Sequence, residues 1–389
     1  LIRGRLPAGP APVKRFTAKR LTGRIVNGRR VTIRDVAGRA GVSIATVSNV
    51  FSGNKPVNED LRERVLQAAK ELAYQVDRAA SQLRSGQARV VGVLVPDLDD
   101  VFFTSLVSRL EVLAQADGYD IVVASSRDNV SLEQSRLRTL LAWRPSGLIV
   151  VPCSDAVPQN LTAEIGRLPI VFADRVPPGG SVVDTVAIDN REAGEIAARH
   201  LLALGHRDIV ITASSLAISP IRERVRGATE QIRGLAGCQV TVAELGSASE
   251  PGAELFRHWL EQHAQPSAVI ALTNVTTLST LSALARLKID IPDPVSVVGF
   301  DDYPWMSARK TGLTAIRQPI GELAAAAWQR LRARMSGDDA PPQSIVLQTS
   351  LQVRDSVRDV RSSVTAGGRD DLDTTPTEQE APAAHKAVH

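Results

Sequence analysis

Between positions 32 and 51 the chain reads TIRDVAGRAGVSIATVSNVF, and its apolar residues fall on two short helical stripes. Ile33, Val36, Ala37 and Ala40 recur at i, i+3, i+4 and i+7, which is one face of a helix. Thr32 stands at the N-cap with Asp35 as its reciprocal partner, and Gly41 supplies the left-handed backbone of a C-terminal cap. Ser43 caps a second helix whose inner face carries Val47, Val50 and Phe51. After a Gly/Asn/Pro turn, Asn58 caps a third, with Glu59 and Asp60 in its first turn and Leu61, Val65, Ala68 and Leu72 as its buried stripe. Helices this short are marginal alone. The three must close on one another, and the first two form a helix-turn-helix, whose second helix is built to enter a DNA major groove.

Beyond this head, residues 77–84 (DRAASQLR) have helical composition, a cap-capable Asp77 and about two turns, so they read as a linker that folds on meeting a partner. From Val90 the pattern changes to short apolar runs alternating with amphipathic stretches. Strands are expected at 90–95, 121–124, 148–151, 170–173, 209–212, 240–244, 269–272 and 295–300. Helices are expected at 104–117, 132–143, 191–204, 221–235, 253–263 and 278–288. Apolar strands joined by helices mean a parallel sheet covered on both faces, and the length of this region calls for two doubly wound lobes. The expected α/β architecture is therefore a helix-turn-helix head at 31–76, a hinge helix and linker at 77–89, and a two-lobed core at 90–355. The lobes are expected at about 90–187 with 318–343, and about 188–317 with 344–355. A polar, acidic stretch, 356–389, without leucine heptads reads as a disordered tail.

Charge sharpens the division. Residues 1–89 hold 18 Lys or Arg against 6 Asp or Glu, whereas the other 300 hold 28 against 36. A cationic head on an acidic body suits a head that meets phosphate. Residues 1–30 carry nine Lys or Arg, no acidic residue, and recurring Pro and Gly, and read as a disordered basic extension. Two readings of it stay open: an arm along DNA phosphates or a minor groove, or a stretch ahead of the native start, since the chain opens with Leu1. No apolar run is long enough to span a bilayer and no secretory signal is present. With only Cys153 and Cys238, far apart, the expectation is two free thiols in a reducing cytoplasm.

On the second helix, turning Val47, Val50 and Phe51 inward leaves Ala45 and Asn49 outward, flanked by Thr46 and Ser48. Ile44 falls nearer the inner edge. Asn pairs bidentately with adenine, Ala or Ile touches a thymine methyl, and Thr and Ser hold phosphate; Thr32 and Ser43, at the two N-caps, join the expected DNA-contact set. In the core, strand C-termini are where open α/β sheets bind ligands. Polar groups follow several of them: Asp97, Ser154 with Asp155, Asp174 with Arg175, Ser214 with Ser215, Asn274, and Asp301 with Asp302. Phe102 and Phe103 are an aromatic pair in a chain only 4% aromatic. Such a set suits a small polyhydroxylated or nucleoside-like ligand. No P-loop, GxSxG, HExxH or dinucleotide GxGxxG motif is present, and adjacent Asp301 and Asp302 would point apart. The expectation is no enzyme, no catalytic residue, no cofactor and no metal site, with His206 at a helix end in a capping role.

At this point the chain resembles the LacI/GalR family of bacterial transcription regulators, from about Val31 to Arg354. The resemblance is carried by TIRDVAxxAGVSxATVSNVF, then Lys55-Pro-Val57 and Leu61-Arg-Glu-Arg-Val65. It continues in VPD at 95–97, ADR at 173–175, IDNR at 188–191, LLALGH at 201–206, RER at 222–224, DPVSVVGFDD at 293–302 and LTAIRQP at 313–319. The resemblance implies a homodimer with a DNA-binding head, a hinge helix and a periplasmic-binding-protein-like core whose interlobe effector changes DNA affinity. It implies base-reading roles for Ile44, Ala45 and Asn49, and minor-groove roles for Ala80 and Leu83 in the hinge. It also implies effector contacts for Phe102, Phe103, Asp174, Arg224 and Asp301, with Arg224 as a fork for hydroxyl or carboxylate oxygens; Arg175 and Asn274 complete the expected set. Three positions depart from the family pattern. Val76-Asp77 replaces Pro-Asn at the hinge, Asn274 replaces an Asp, and Ser247 aligns where a stacking aromatic is common.

The expected function is thus a cytoplasmic, dimeric, effector-responsive regulator of transcription, a repressor at a pseudo-palindromic operator, answering to a sugar, sugar derivative or nucleoside/purine. The alternative is a constitutive DNA-bending protein whose cleft has lost its ligand, for which Ser247 and Asn274 speak.

Overall fold

The computed structural model describes residues 25–26, 29–52, 55–74, 89–177 and 182–361. The chain divides into two compact units, Leu1–Ala88 and Arg89–His389.

In the first unit, α1 (Ile33–Ala40), α2 (Ile44–Ser52) and α3 (Glu59–Glu71) enclose a core of Val36, Ala37, Ala40, Val47, Val65, Ala68 and Ala69. The caps are those the sequence specifies. The Asp35 carboxylate accepts from the Thr32 N–H at 2.8 Å and from its hydroxyl at 2.7 Å. Gly41 takes φ +65°, and the Val42 N–H reaches back to the Ala37 carbonyl. The Ser43 and Asn58 side chains accept from the Thr46 and Asp60 N–H groups at 3.1 and 2.9 Å. Phe51 leans on Tyr74 with ring centroids 5.8 Å apart. Ahead of the helices, β1 (Ile25–Val26) and β2 (Arg29–Arg30) pair antiparallel. The expectation of disorder throughout 1–30 is corrected at these four residues, which pair Ile25↔Arg30 and Val26↔Arg29. The hinge expected at 77–84, with Ala80 and Leu83, lies outside the described residues.

The second unit holds two six-stranded sheets. The first runs β13-β7-β6-β5-β3-β4, all parallel, from β3 (Val90–Val95), β4 (Asp120–Ser125), β5 (Gly147–Val150), β6 (Ile170–Ala173), β7 (Asp184–Ile188) and β13 (Ser344–Leu347). The second runs β14-β12-β11-β10-β8-β9. Its members are β8 (Asp208–Ala213), β9 (Gln239–Glu244), β10 (Ala268–Ala271), β11 (Ser296–Phe300), β12 (Thr314–Arg317) and an antiparallel edge strand, β14 (Ser350–Gln352). β3, β5, β6 and β11 are buried along their whole length, which is why they read as unbroken apolar runs. Around the first sheet lie α4 (Val101–Ala116), α5 (Val130–Ala142) and the short α6 (Gln159–Thr162). Around the second lie α7 (Asn190–Ala203), α8 (Ser219–Arg233), α9 (Ser249–Gln262), α10 (Asn274–Arg286) and the short α11 (Pro304–Ser307). Helix α12 (Ile320–Met335) returns to pack on α4 and the first sheet.

The chain crosses between lobes three times: between β7 and α7, between β12 and α12, and between β13 and β14. Two expectations are corrected here. β13 pairs with β7 from Ser344↔Thr185 to Leu347↔Ile188, so it belongs to the first lobe, and the last crossing follows Leu347 instead of preceding Ser344. The edge of β7 offers a free ladder that a four-residue segment completes. The expectation of disorder from 356 is also corrected for residues 356–361. Ser356 is fully buried, its hydroxyl donates to the Val297 carbonyl and accepts from the Thr314 N–H, and the Val360 N–H bonds the Leu204 carbonyl. Backbone groups left open beside β11 and β12 bind this polar segment, which apolar patterning does not reveal. The rest of the stretch expected as a tail, beyond position 361, lies outside the described residues.

Candidate functional site

Two constellations carry chemistry. The first is the outer face of α2. Val47 is fully buried against α1 and α3, whereas Ile44 is 43% exposed, Ala45 is exposed, and Thr46, Ser48 and Asn49 are half-buried. Ile44, on the inner edge of an ideal wheel, is therefore turned outward. It is the first residue of the helix, where the chain enters from the Gly41–Ser43 turn. Thr32 and Ser43 are exposed at the N-caps of α1 and α2, and the Ser43 hydroxyl lies 2.9 Å from that of Thr46.

The second is a cleft of about 470 Å³ lined from both lobes. All seven expected residues, Phe102, Phe103, Asp174, Arg175, Arg224, Asn274 and Asp301, line it. They arrive from separate elements. Asp174 follows β6 and Asp301 follows β11, both in left-handed backbone at φ +60° and +79°, a conformation Asp tolerates better than most residues. Phe102 and Phe103 open α4 and pack edge to face with centroids 5.1 Å apart. The Arg175 guanidinium is paired with Asp128 and stands 5.7 Å from the Phe103 ring.

Arg224 is the centre of the second lobe's wall. Its Nε donates to Asn190 Oδ1 at 2.9 Å and its Nη1 to the Leu272 carbonyl at 2.8 Å, while the guanidinium lies over the Phe300 ring at 4.0 Å. Close helix packing puts it there. A Cβ on Gly194 of α7 would fall 2.0 Å from the Arg224 carbonyl oxygen, and one on Gly227 of α8 would fall 2.0 Å from that of Arg191. The two helices therefore touch backbone to backbone. Asp301 accepts from the Asn274 N–H at 2.9 Å, at the start of α10, and from Gln318 Nε2 at 2.6 Å, so a helix N-terminus supports its charge. Asp302 turns the other way, to Arg317 and Arg354.

Burial governs the electrostatics. It pushes the carboxyl pKa of Asp174 and of Asp301 up, against the attraction of Arg224. Asp100 is pushed up to about 6 by burial first and by the Asp301 charge next. Burial also pulls the Arg224 pKa down, opposed by Asp301 and Asp174. Buried Glu133 accepts the Cys153 N–H at 2.7 Å, and burial raises the Cys153 pKa to about 12, which favours the thiol over the thiolate.

Sequence reasoning missed several members. Asp100 caps α4 through the Phe102 N–H at 2.9 Å and lines the cleft, although the apolar pattern starts this helix only at 104. Asp128 precedes the Asn129 cap of α5, and Gln318 follows β12, a strand with too little apolar run to be noticed. Asn190 holds Arg224 from α7. An ion pair joins the lobes directly: Arg222 on α8, fixed by the Leu216 and Ala217 carbonyls at 3.0 and 2.8 Å, meets Asp155 after β5. His206 does more than cap: its ring is buried between the Ser267 hydroxyl, 3.2 Å, and the Arg358 carbonyl, 3.1 Å.

Among known proteins, residues 32–77 match the lacI family of bacterial regulatory proteins and residues 198–357 a periplasmic binding protein-like domain. The chain is 32% identical over 329 residues to the HTH-type transcriptional regulator PtxS of Pseudomonas plecoglossicida, covering 84% of this chain and 96% of that one. It superposes on the lac repressor dimer bound to operator and the anti-inducer ONPF with a TM-score of 0.75 at 27% identity, over 85% of this chain and 100% of that one. A complex of the transcriptional regulator CelR with cellobiose gives 0.61 at 27% identity, over 84% of this chain and 100% of that one. Head and core thus both find their counterparts in one group, and the chain belongs to the lacI family of bacterial transcriptional regulators.

Proposed function

We propose that this regulator acts as a dimeric repressor at a pseudo-palindromic operator, and that a small polyhydroxylated effector, sugar-like or nucleoside-like, binds in the interlobe cleft and changes operator affinity. The observation that carries this reading is the cleft itself: buried polar side chains from both lobes face one cavity, and the lobes are joined by three chain crossings. A ligand touching both walls favours one lobe arrangement over another, and it shifts DNA occupancy only by its differential affinity for the two. In the head, Asn49 reads adenine while Ile44 and Ala45 make apolar contacts, and Thr32, Ser43, Thr46 and Ser48 hold register. Ala80 and Leu83 would complete the interface as minor-groove wedges. Two-fold symmetry then demands matched half-sites. In the cleft, Arg224 and Asp301 orient ligand hydroxyls and Phe102 and Phe103 form the apolar wall, with Asp174, Arg175 and Asn274 beside them. The lac repressor structure, with operator and anti-inducer, and the CelR–cellobiose complex support this reading. Loss of the ligand, leaving a constitutive DNA-bending protein, would leave this buried polar wall without a use. A salt titration of binding to operator and to random DNA, repeated with sugars and nucleosides, tests the proposal. Equal affinity for the two DNAs defeats the operator reading, and an operator affinity that no ligand moves defeats the effector reading.

A further inference from the structure

Resting on that reading of the cleft, we infer that the effector carries a positive charge: it is a hydroxylated amine, such as an amino sugar or an aminocyclitol, seated between the Asp100 and Asp174 carboxylates. The cleft wall holds six carboxylates, from Asp97, Asp99, Asp100, Asp128, Asp174 and Asp301, against two guanidiniums, from Arg175 and Arg224. Both guanidiniums are already engaged. Arg175 gives two N–H groups to Asp128, and Arg224 gives two donors to Asn190 and the Leu272 carbonyl, leaving its Nη2 to meet a hydroxyl.

The unused acceptors are the second, independent observation. Asn274 and Gln318, each only 6% exposed, have Oδ1 and Oε1 buried with no hydrogen-bond partner. Asp174, also 6% exposed, has no side-chain donor among the described residues, and Asp100 uses only Oδ1, as a helix cap. Buried acceptors without donors are costly, and buried like charges raise one another's proton affinity. A ligand that supplies N–H and O–H donors together with positive charge relieves both. A neutral sugar relieves only the first, and an anionic sugar acid meets a wall of its own sign. A metal ion is a poor substitute, because no three His, Cys, Asp or Glu among the described residues are grouped to hold one.

The test uses the full-length protein and compounds matched in stereochemistry, so that charge is the main difference. Glucosamine, galactosamine, mannosamine and 2-deoxystreptamine are compared with glucose, galactose, mannose and inositol, and with gluconate, galactonate and mannonate. Thermal midpoint and operator affinity are both read. The expected result is that at least one amine raises the midpoint and moves operator affinity, while its neutral and anionic counterparts bind at least about tenfold more weakly. Asp100→Asn, which keeps the helix cap, and Asp174→Asn should each lower affinity for that amine by about tenfold and narrow the gap to the neutral parent. A neutral or anionic compound that binds best and moves operator affinity overturns the charge assignment and leaves the proposed function standing. Failure of every amine to bind also overturns it. Failure of all three classes, with operator affinity unmoved, counts against both.

Discussion

The DNA-reading head and the effector cleft solve opposite problems. In the head, Thr32 to Asn49 lie within one short stretch, and two caps and a glycine turn orient them. In the cleft, residues from Asp97 to Gln318 come together only because two sheets place their strand ends face to face. In the head, Ile44, Ala45 and Asn49 sit on the outside of a small core that does not depend on them, while Thr32 and Ser43 also cap its helices. The cleft's candidates are buried among the groups that hold the core together. Substitution should therefore separate reading from stability in the head and fail to separate binding from stability in the cleft.

The largest expected effect tests the second half of that contrast. Arg224→Met should lower the stability of the core by about 3 kcal/mol or more, because two buried carboxylates lose their counter-charge; chemical denaturation measures it. A loss of effector response with stability unchanged would show that the cleft, too, has a separable reader. Gly194→Ala comes next. The added methyl meets backbone 2.0 Å away, so α7 and α8 must part at a cost of about 1–3 kcal/mol, and Arg224 moves with them. Effector affinity, by calorimetry, should fall although the substituted residue does not line the cleft.

Asn49→Ala tests the first half. It should cost about 1–3 kcal/mol of binding on operator and little on random DNA, with the thermal midpoint unchanged. Equal losses on both DNAs would make Asn49 a phosphate contact.

Asp100 gives a pH signature. With its folded pKa near 6 and an ordinary value when unfolded, the native state binds the proton more tightly. Between about pH 4 and 6 the unfolded state carries fewer protons, so this group makes stability fall as pH rises through that window. Asp100→Asn should therefore be more stable than the parent at pH 7, and the advantage should vanish near pH 4. An advantage that does not vary with pH would place the carboxyl in a solvated setting. The smallest effect belongs to the exposed Asp155–Arg222 pair: Arg222→Ala should change stability by under about 1 kcal/mol, while small-angle scattering of the ligand-free core should show a more open pair of lobes.

Legibility followed the same contrast. Caps at Thr32, Ser43 and Asn58 and the stripes of α1 to α3 could be read directly, since each signal lies within a turn or two of its effect. Strands β3, β5, β6 and β11 were legible because burial on both faces makes them continuous apolar runs. β13, β14 and the Ser356–Val360 segment were not, because pairing with a distant strand edge recruited them. In the cleft, Asp174 and Asp301 could be picked out by family pattern and by the rule that ligands gather at strand C-termini, and Arg224 by family pattern alone. Asp100 and Asp128 could not, and Gln318 lay within the family-like segment LTAIRQP without being given a role. An Asp capping a helix looks the same whether it faces water or a cavity, and Gln318 follows a strand whose apolar signal is weak.

By itself the sequence determined the helix-turn-helix, the alternation that builds two doubly wound lobes, the charge asymmetry between head and body, and the family. These rest on local periodicity, capping and composition, which act over a few residues. Tertiary structure alone decided which carboxylates share a cavity, that Arg224 is held by Asn190 and by helices touching at Gly194 and Gly227, and that the free groups of the wall are mostly acceptors. Those are properties of distances between residues far apart in the chain, and burial, which no single position encodes, sets their charge.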